Sequence, residues 1–168
     1  ILDAITDDTV AVFMTHAQGF NGLTRRLCET LEDKGIHLIE DVCESHGATF
    51  NGVKLGNCGY ISNFSFFYAH HMSTIEGGMI CTNDPSVYEW SRMLRSHGMV
   101  REGSDPSLKK RFYQEHPELN PDFIFSAPAF NFRNNEIGAT IGLSQLPRLD
   151  GNNLKRTENF EHLLQALN

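Results

Sequence analysis

Thr9-Val10-Ala11-Val12-Phe13-Met14-Thr15-His16 is apolar, rich in β-branched residues and unbroken by charge. Such a run predicts a short strand buried on both faces of a parallel sheet. Gly19-Phe20-Asn21-Gly22 turns the chain. Leu23, Leu27 and Leu31 then recur at helical spacing, with Arg26 and Thr30 on the adjacent stripe, until Gly35 stops the helix. Ile36 to Asp41 reads as a second buried strand. The strand, helix and strand together have the size of a βαβ unit, so the two strands should be parallel with a right-handed crossover. Asp41 then lies at the carboxyl end of its strand, where open α/β sheets bind ligands.

Further on, Asn51-Gly52 marks a tight turn between Ala48–Phe50 and Val53–Leu55. Gly56 to Gly59 is a loop, and Tyr60–Phe67 and Gly77–Thr82 are further strands. Asn83-Asp84-Pro85 caps and starts a helix whose expected inner face is Val87, Trp90, Leu94 and His97, before Gly98 ends it. Residues 102–128 are polar and proline-bearing and read as an excursion with one short helix, Ser107–Glu115, not as a domain boundary. Glu136–Leu146 is a helix with Gly138 and Gly142 on one face, which permits close backbone approach. Asn153–Leu167 is a last amphipathic helix.

Composition narrows the function classes. The 168 residues support about one domain. Fourteen basic against 21 acidic residues give a net charge of −7, and Lys109-Lys110-Arg111 is the one basic cluster, which argues against a nucleic-acid partner. No apolar run reaches the roughly 18 residues of a membrane-spanning helix, so no membrane partner is expected. Ile1 to Asp8 carries acid where a secretory signal carries positive charge. Cys28, Cys43, Cys58 and Cys81 lie far apart without a C-x-x-C pair and read as free thiols of a cytoplasmic protein, with no metal site. The chain starts without methionine and stops inside a helical pattern, so a piece of a longer protein is expected.

The stretch from Phe64 to Gly78 carries the most chemistry. An apolar strand containing Ser65 ends in a short turn with His70-His71, and Glu76-Gly77-Gly78 opens the next strand. This layout resembles the cofactor segment of pyridoxal-phosphate enzymes, and the resemblance implies a lysine, bonded to the cofactor as a Schiff base, at the residue six before the glutamate. Here that position is His70. Imidazole moves protons near neutral pH but makes no stable imine, so the covalent anchor is lost and the base is kept. Each residue also has a plainer reading. Asp41 can be a solvated strand end or a carboxylate set against a pyridinium nitrogen, where it would keep the ring an electron sink. Ser65 can be a buried hydroxyl bonded to backbone or a phosphate ligand. His97 can cap helix carbonyls. Glu44 and His46 follow Asp41 closely and should line one loop.

Taken together, these runs resemble the DegT/DnrJ/EryC1/StrS family of sugar aminotransferases, whose large domain has the fold type I architecture of pyridoxal-phosphate-dependent transferases. The resemblance is carried by Glu40-Asp41 with His46-Gly47-Ala48, by Phe64-Ser65-Phe66, by Glu76-Gly77-Gly78 and by Arg95-Ser96-His97-Gly98. It continues through Asn131-Phe132-Arg133, Glu136 to Ala139 and Gly142 to Leu146. It implies an α/β fold, a mostly parallel sheet flanked by helices, with residues 1–168 forming part of the cofactor-binding large domain. The upstream phosphate-cup segment and the carboxyl-terminal small domain would lie outside them.

By the same resemblance the cofactor is pyridoxal 5′-phosphate, alternating with pyridoxamine 5′-phosphate. Asp41 would pair with the pyridinium nitrogen, and Glu44 would stand where the family usually has glutamine. Ser65 would hold the phosphate and His70 would be the catalytic acid and base. His97 would lie near substrate, and Asn131 would reach the cofactor of a partner subunit in a homodimer with shared active sites. Tyr68 to His71, Ser73 to Glu76 and Glu115 to Phe125 resemble the family's 3-dehydratases. These take the C3 hydroxyl from a nucleotide-linked 4-keto-6-deoxy sugar, here GDP-4-keto-6-deoxy-D-mannose, with L-glutamate as amine donor. The alternatives are an iron-sulfur-dependent CDP-sugar 3-dehydrase, which needs clustered cysteines, an aminotransferase-like protein, and a non-catalytic relative.

Overall fold

The computed structural model describes residues 1–167. In chain order its main elements are β1 (Ala11–Thr15), α1 (Arg25–Asp33), β2 (His37–Asp41), β3 (Thr49–Phe50), β4 (Val53–Lys54), β5 (Ile61–Ser65), β6 (Gly78–Thr82), α2 (Pro85–Leu94), α3 (Pro106–Glu115), α4 (Glu136–Gln145) and α5 (Leu149–Leu167). The chain divides into two compact units. One holds residues 1–81 with the chain from Asn135 onward, the other Thr82–Asn134.

In the first unit the strands lie in the order β1-β2-β5-β6. The pair β1·β2 is parallel, as the βαβ spacing predicts, and β2·β5 is parallel too, with Thr15 beside Asp41 and Asp41 beside Asn63. Thr24 caps α1 by accepting the Leu27 amide at 3.2 Å. The leucine stripe of that helix closes on the sheet: Leu23, Leu27 and Leu31 form one core with Met14, Ile36, Leu38, Val42 and Leu55. Burying a leucine side chain contributes about 2 kcal/mol, so this stripe fixes how the crossover lies. Asn51 and Gly52 take positive φ (50° and 81°), and β3 and β4 pair antiparallel across them.

Four expectations change. β1 is covered on one face only among the described residues: Met14 is buried, yet Phe13 is 60% exposed. Leu23 and Thr24 precede α1 instead of opening it, because the Thr24 side chain is used as the cap. α5 begins at Leu149, four residues earlier than its apolar pattern, and of its residues only Leu149 is buried among those described. The inner face of α2 is Glu89 and Met93, while Trp90 and Leu94 are 38% and 39% exposed. Glu89 is drawn inward because its carboxylate accepts the amides of Ser104 (2.6 Å) and Asp105 (3.1 Å) and the Ser104 hydroxyl.

In the second unit Met93, Val100 and Ile124 make a small core with Leu108, Phe112 and Tyr113 packed against it. Residues 102–128, an excursion by composition, are therefore built into that unit. Asp84 caps α2 by accepting the Val87 amide, with Pro85 at its first position, as the sequence predicts. No helix among the described residues is long and apolar enough to cross a membrane.

Candidate active site

The site is laid out by the end of β2. Successive side chains of a strand point to opposite faces, so Glu40 and Asp41 part company although they are neighbours. Glu40 is fully buried with Leu38. Its carboxylate accepts the amides of Gly56 (2.9 Å), Cys58 (2.8 Å) and Gly59 (2.7 Å) and meets His16 Nε2 at 3.2 Å. His16 Nδ1 accepts the Gly22 amide at 3.1 Å, which leaves the proton on Nε2 to donate to Glu40. This buried pair fixes the 56–59 loop to the sheet, on the face of β2 opposite Asp41.

Asp41 lies half-buried on the opposite face. It accepts the Cys43 amide at 3.1 Å, Asn63 Nδ2 at 3.0 Å and the Thr15 hydroxyl at 3.4 Å. Burial works against its ionisation, but the hydrogen bonds from Cys43, Asn63 and Thr15 outweigh it and hold the carboxyl below its ordinary range. Asn63 owes its place to the register of β2 against β5 and also reaches Cys43 Sγ at 3.2 Å. Burial, then the hydrogen bond and charge of Asp41, push the Cys43 thiol up to about 11, so it stays protonated. Ser65 is the last residue of β5, and its hydroxyl accepts the Phe67 amide at 3.3 Å.

His70 and His71 sit in the turn between β5 and β6. The Phe66 amide bonds to Gly77 O and the Thr74 amide to Phe66 O, both at 2.8 Å, closing the turn on itself. α4 holds it from outside. Gln145 Oε1 accepts the Ser73 amide at 2.9 Å, and a Cβ at Gly142 would come within 3.1 Å of the Thr74 methyl. The two glycines expected to allow close approach do so against this turn. Ile75, β-branched, is held at φ 73°, a conformation that costs such a residue on the order of 1–3 kcal/mol.

Behind the turn lies His46, only 3% exposed. Its ring is 6.1 Å from that of His70 and 5.9 Å from that of His71, with Phe64 and Phe66 at 5.8 Å. Neither ring nitrogen has a hydrogen-bond partner among the described residues. Burial, then the rings of His71 and His70, push its imidazole down to about 4 against an upward pull from the Ser65 backbone. His71 is also lowered, by burial and then by the charges of Arg156 and His70, with Glu44 opposing. Glu44 is exposed and accepts the Gln18 amide at 2.7 Å.

The first unit thus gathers Asp41, Glu44, Ser65 and His70 about the ends of β2 and β5. His97 and Asn131 belong to the second unit. There the His97 amide donates to Phe130 O at 2.7 Å, Ser96 bridges Asn131, and His97 adopts φ 61°. Two supports of Asp41, Thr15 on β1 and Asn63 on β5, lie 26 and 22 residues away and carry no local signal, whereas Cys43 follows in the turn just past β2. His46 was read only as a loop residue. A histidine between Ser45 and a glycine, directly after a strand-end carboxylate, is the signal that could have singled it out. The cysteines disperse: Cys28 and Cys58 line one cavity, Cys43 touches Asp41, and Cys81 lies in β6. No three His, Cys, Asp or Glu side chains among the described residues gather as a metal-binding set.

A family model for the DegT/DnrJ/EryC1/StrS aminotransferases matches residues 1–168. The chain belongs to that family. It is 33% identical over 162 residues to a GDP-4-keto-6-deoxy-D-mannose 3-dehydratase of Escherichia coli O55:H7, a match covering 96% of this chain and 42% of that protein. It is 36% identical over 146 residues to a GDP-perosamine synthase of Caulobacter vibrioides, covering 87% of this chain and 34% of the synthase. Among solved structures it resembles a GDP-4-keto-6-deoxymannose-3-dehydratase with a trapped PLP-glutamate geminal diamine. The TM-score there is 0.74 at 32% identity, over 88% of this chain and 38% of that one. The chain spans about 42% and 34% of the lengths of these two curated relatives. The family depends on pyridoxal phosphate. An ionised carboxylate at a strand end, with the Ser65 hydroxyl two residues beyond its Asn63 partner, suits the pyridinium and phosphate of that group.

Proposed function

We propose that the protein of which this chain is part removes the C3 hydroxyl of a nucleotide-linked 4-keto-6-deoxy sugar, GDP-4-keto-6-deoxy-D-mannose, in cytoplasmic deoxysugar biosynthesis. The observation that carries this reading is His70, an imidazole in the turn after β5 where the family's lysine amine is expected. A lysine would trap the aldehyde form of the cofactor, whereas a histidine leaves it free to be re-aminated, which favours elimination over simple amino transfer.

Bound as pyridoxamine phosphate, the cofactor would supply an amine for the C4 ketone and a conjugated ring to take up electrons. Asp41, held ionised by Cys43, Asn63 and Thr15, keeps the ring nitrogen protonated. Ser65 donates its hydroxyl proton to the phosphate. His70 would take a proton from the cofactor's C4′ carbon and return one to the departing C3 hydroxyl. Glu44 stands at the cofactor's edge in place of the usual glutamine. L-Glutamate would supply the amine and the reducing equivalents, so the removal of one sugar oxygen would be balanced by oxidation of glutamate to 2-oxoglutarate with release of ammonia. Asn131 completes the site of the other subunit in a homodimer, and His97 contacts the sugar.

The GDP-perosamine synthase match, at 36% identity, favours amino transfer as the second reading. Full-length protein incubated with GDP-4-keto-6-deoxymannose, pyridoxal phosphate and glutamate separates the two. A 3-deoxy-4-keto sugar with ammonia is the expected product. A 4-amino sugar would establish the synthase reading, and no turnover would mark a non-catalytic relative.

A further inference from the structure

A cavity of about 340 Å³ opens beside the histidine turn, lined by His70, His71, Asn152, Lys155 and Arg156. Asn152, Lys155 and Arg156 stand at i, i+3 and i+4 of α5, so that helix turns one face of hydrogen-bond donors toward the turn. All five lining side chains can donate a hydrogen bond, and no carboxylate is among them. Lys155 Nζ is engaged by Glu158 at 3.0 Å. Arg156 acts on His71 electrostatically, so its charge is felt within the cavity.

We infer that this cavity is an oxyanion site that holds the diphosphate of the nucleotide sugar next to His70, an inference that rests on the function proposed above. Arg156 supplies the planar fork that matches two phosphate oxygens, Lys155 adds a point charge, and Asn152 and His71 add neutral donors. The volume lies at the small end of the roughly 300–1,000 Å³ of ligand pockets, enough for a diphosphate but not for a whole nucleotide sugar. The nucleoside would extend outward, and the sugar would be directed toward the His70 imidazole. A diphosphate suits the paired cations better than the single α-carboxylate of glutamate, and Ser65 on β5 is the separate candidate for the cofactor's own phosphate.

The test measures binding of GDP, guanosine, L-glutamate and pyridoxal phosphate to full-length protein by calorimetry. The proteins compared are wild type, Arg156→Gln, Arg156→Lys and the control Lys110→Gln. Arg156 is exposed, so its variants should fold, which circular dichroism checks. Losing a charge-assisted contact should weaken GDP binding roughly ten- to hundred-fold in Arg156→Gln and less in Arg156→Lys. Pyridoxal phosphate affinity and the control should stay unchanged. A GDP affinity within about threefold of wild type, or a loss falling on pyridoxal phosphate or glutamate instead, overturns the assignment. The product assay keeps the two ideas separate. A 3-deoxy sugar formed with unchanged KM in Arg156→Gln sinks the diphosphate site and spares the dehydratase reading. Weakened GDP binding together with a 4-amino product does the reverse.

Discussion

At the scale of single residues, His70 and His46 make opposite demands. His70 is half-buried at the rim of a cavity. General acid-base groups contribute about 10²- to 10⁴-fold in rate, so His70→Asn should bind cofactor and sugar yet stall before the hydroxyl leaves. His70→Lys should restore a covalent link that borohydride fixes to the chain, with dehydration falling as that link forms. If His71→Asn stops the reaction and His70→Asn does not, the acid-base role belongs to the neighbour. His46 is buried and neutral. Its folded pKa of about 4 lies below the ordinary histidine value near 6.5, so above that range neither state binds the proton. As pH falls from 6.5 toward 4 the unfolded chain takes up the proton first, and stability drops by about 3 kcal/mol over the interval. His46→Leu, which buries no unpaired nitrogen, should be as stable as wild type at pH 7.5 and markedly more stable at pH 5. Thermal melts at the two pH values decide this, and parallel curves for both proteins would show that His46 is not the titrating group.

At the scale of elements, one buried carboxylate joins two pieces of the first unit. Glu40 on β2 gathers three amides from the 56–59 loop and the His16 ring. Glu40→Gln would turn an amide NH₂ toward donors that need an acceptor. Breaking such a buried network costs about 3–5 kcal/mol, which a urea midpoint resolves. A shift under about 1 kcal/mol would mean that the loop re-satisfies its amides elsewhere. The sequence showed Glu40-Asp41 as a pair of strand-end acids. Strand alternation put them on opposite faces, but nothing local told which acid would be buried, because its amide partners come from 16 to 19 residues away.

At the scale of the whole molecule, the proposed dimer makes a quantitative claim. If Asn131 serves the partner subunit's site, mixing full-length His70→Asn with full-length Asn131→Ala should generate heterodimers with one intact site each. Half the dimers are mixed and each carries one working site of two, so activity should recover to about a quarter of wild type. Recovery to no more than the sum of the separate variants would place Asn131 in its own subunit's site or in none. His70 lies in the first compact unit of this chain and Asn131 in the second.

The sequence by itself determined what depends on local pattern. The leucine stripe pointed to α1, a β-branched run to β1, the short apolar run from Ile36 to β2, Asn51-Gly52 to the hairpin, and Asp84-Pro85 to the start of α2. Spacing also singled out His70, six residues before Glu76, as the position where the family resemblance leads one to expect a lysine, because a motif counted along the chain needs no fold to be read. Tertiary structure decided what depends on partners distant in sequence. It set Asn63 and Thr15 around Asp41, buried Glu40, and turned Glu89 inward while leaving Trp90 exposed. It also brought α5 to the histidine turn, where Asn152, Lys155 and Arg156 complete a cavity some 80 residues away along the chain. Apolar periodicity reports which face of an element prefers burial. Which carboxylate can be buried, and which cation borders a cavity, is settled by hydrogen-bond partners that only the folded chain brings within reach.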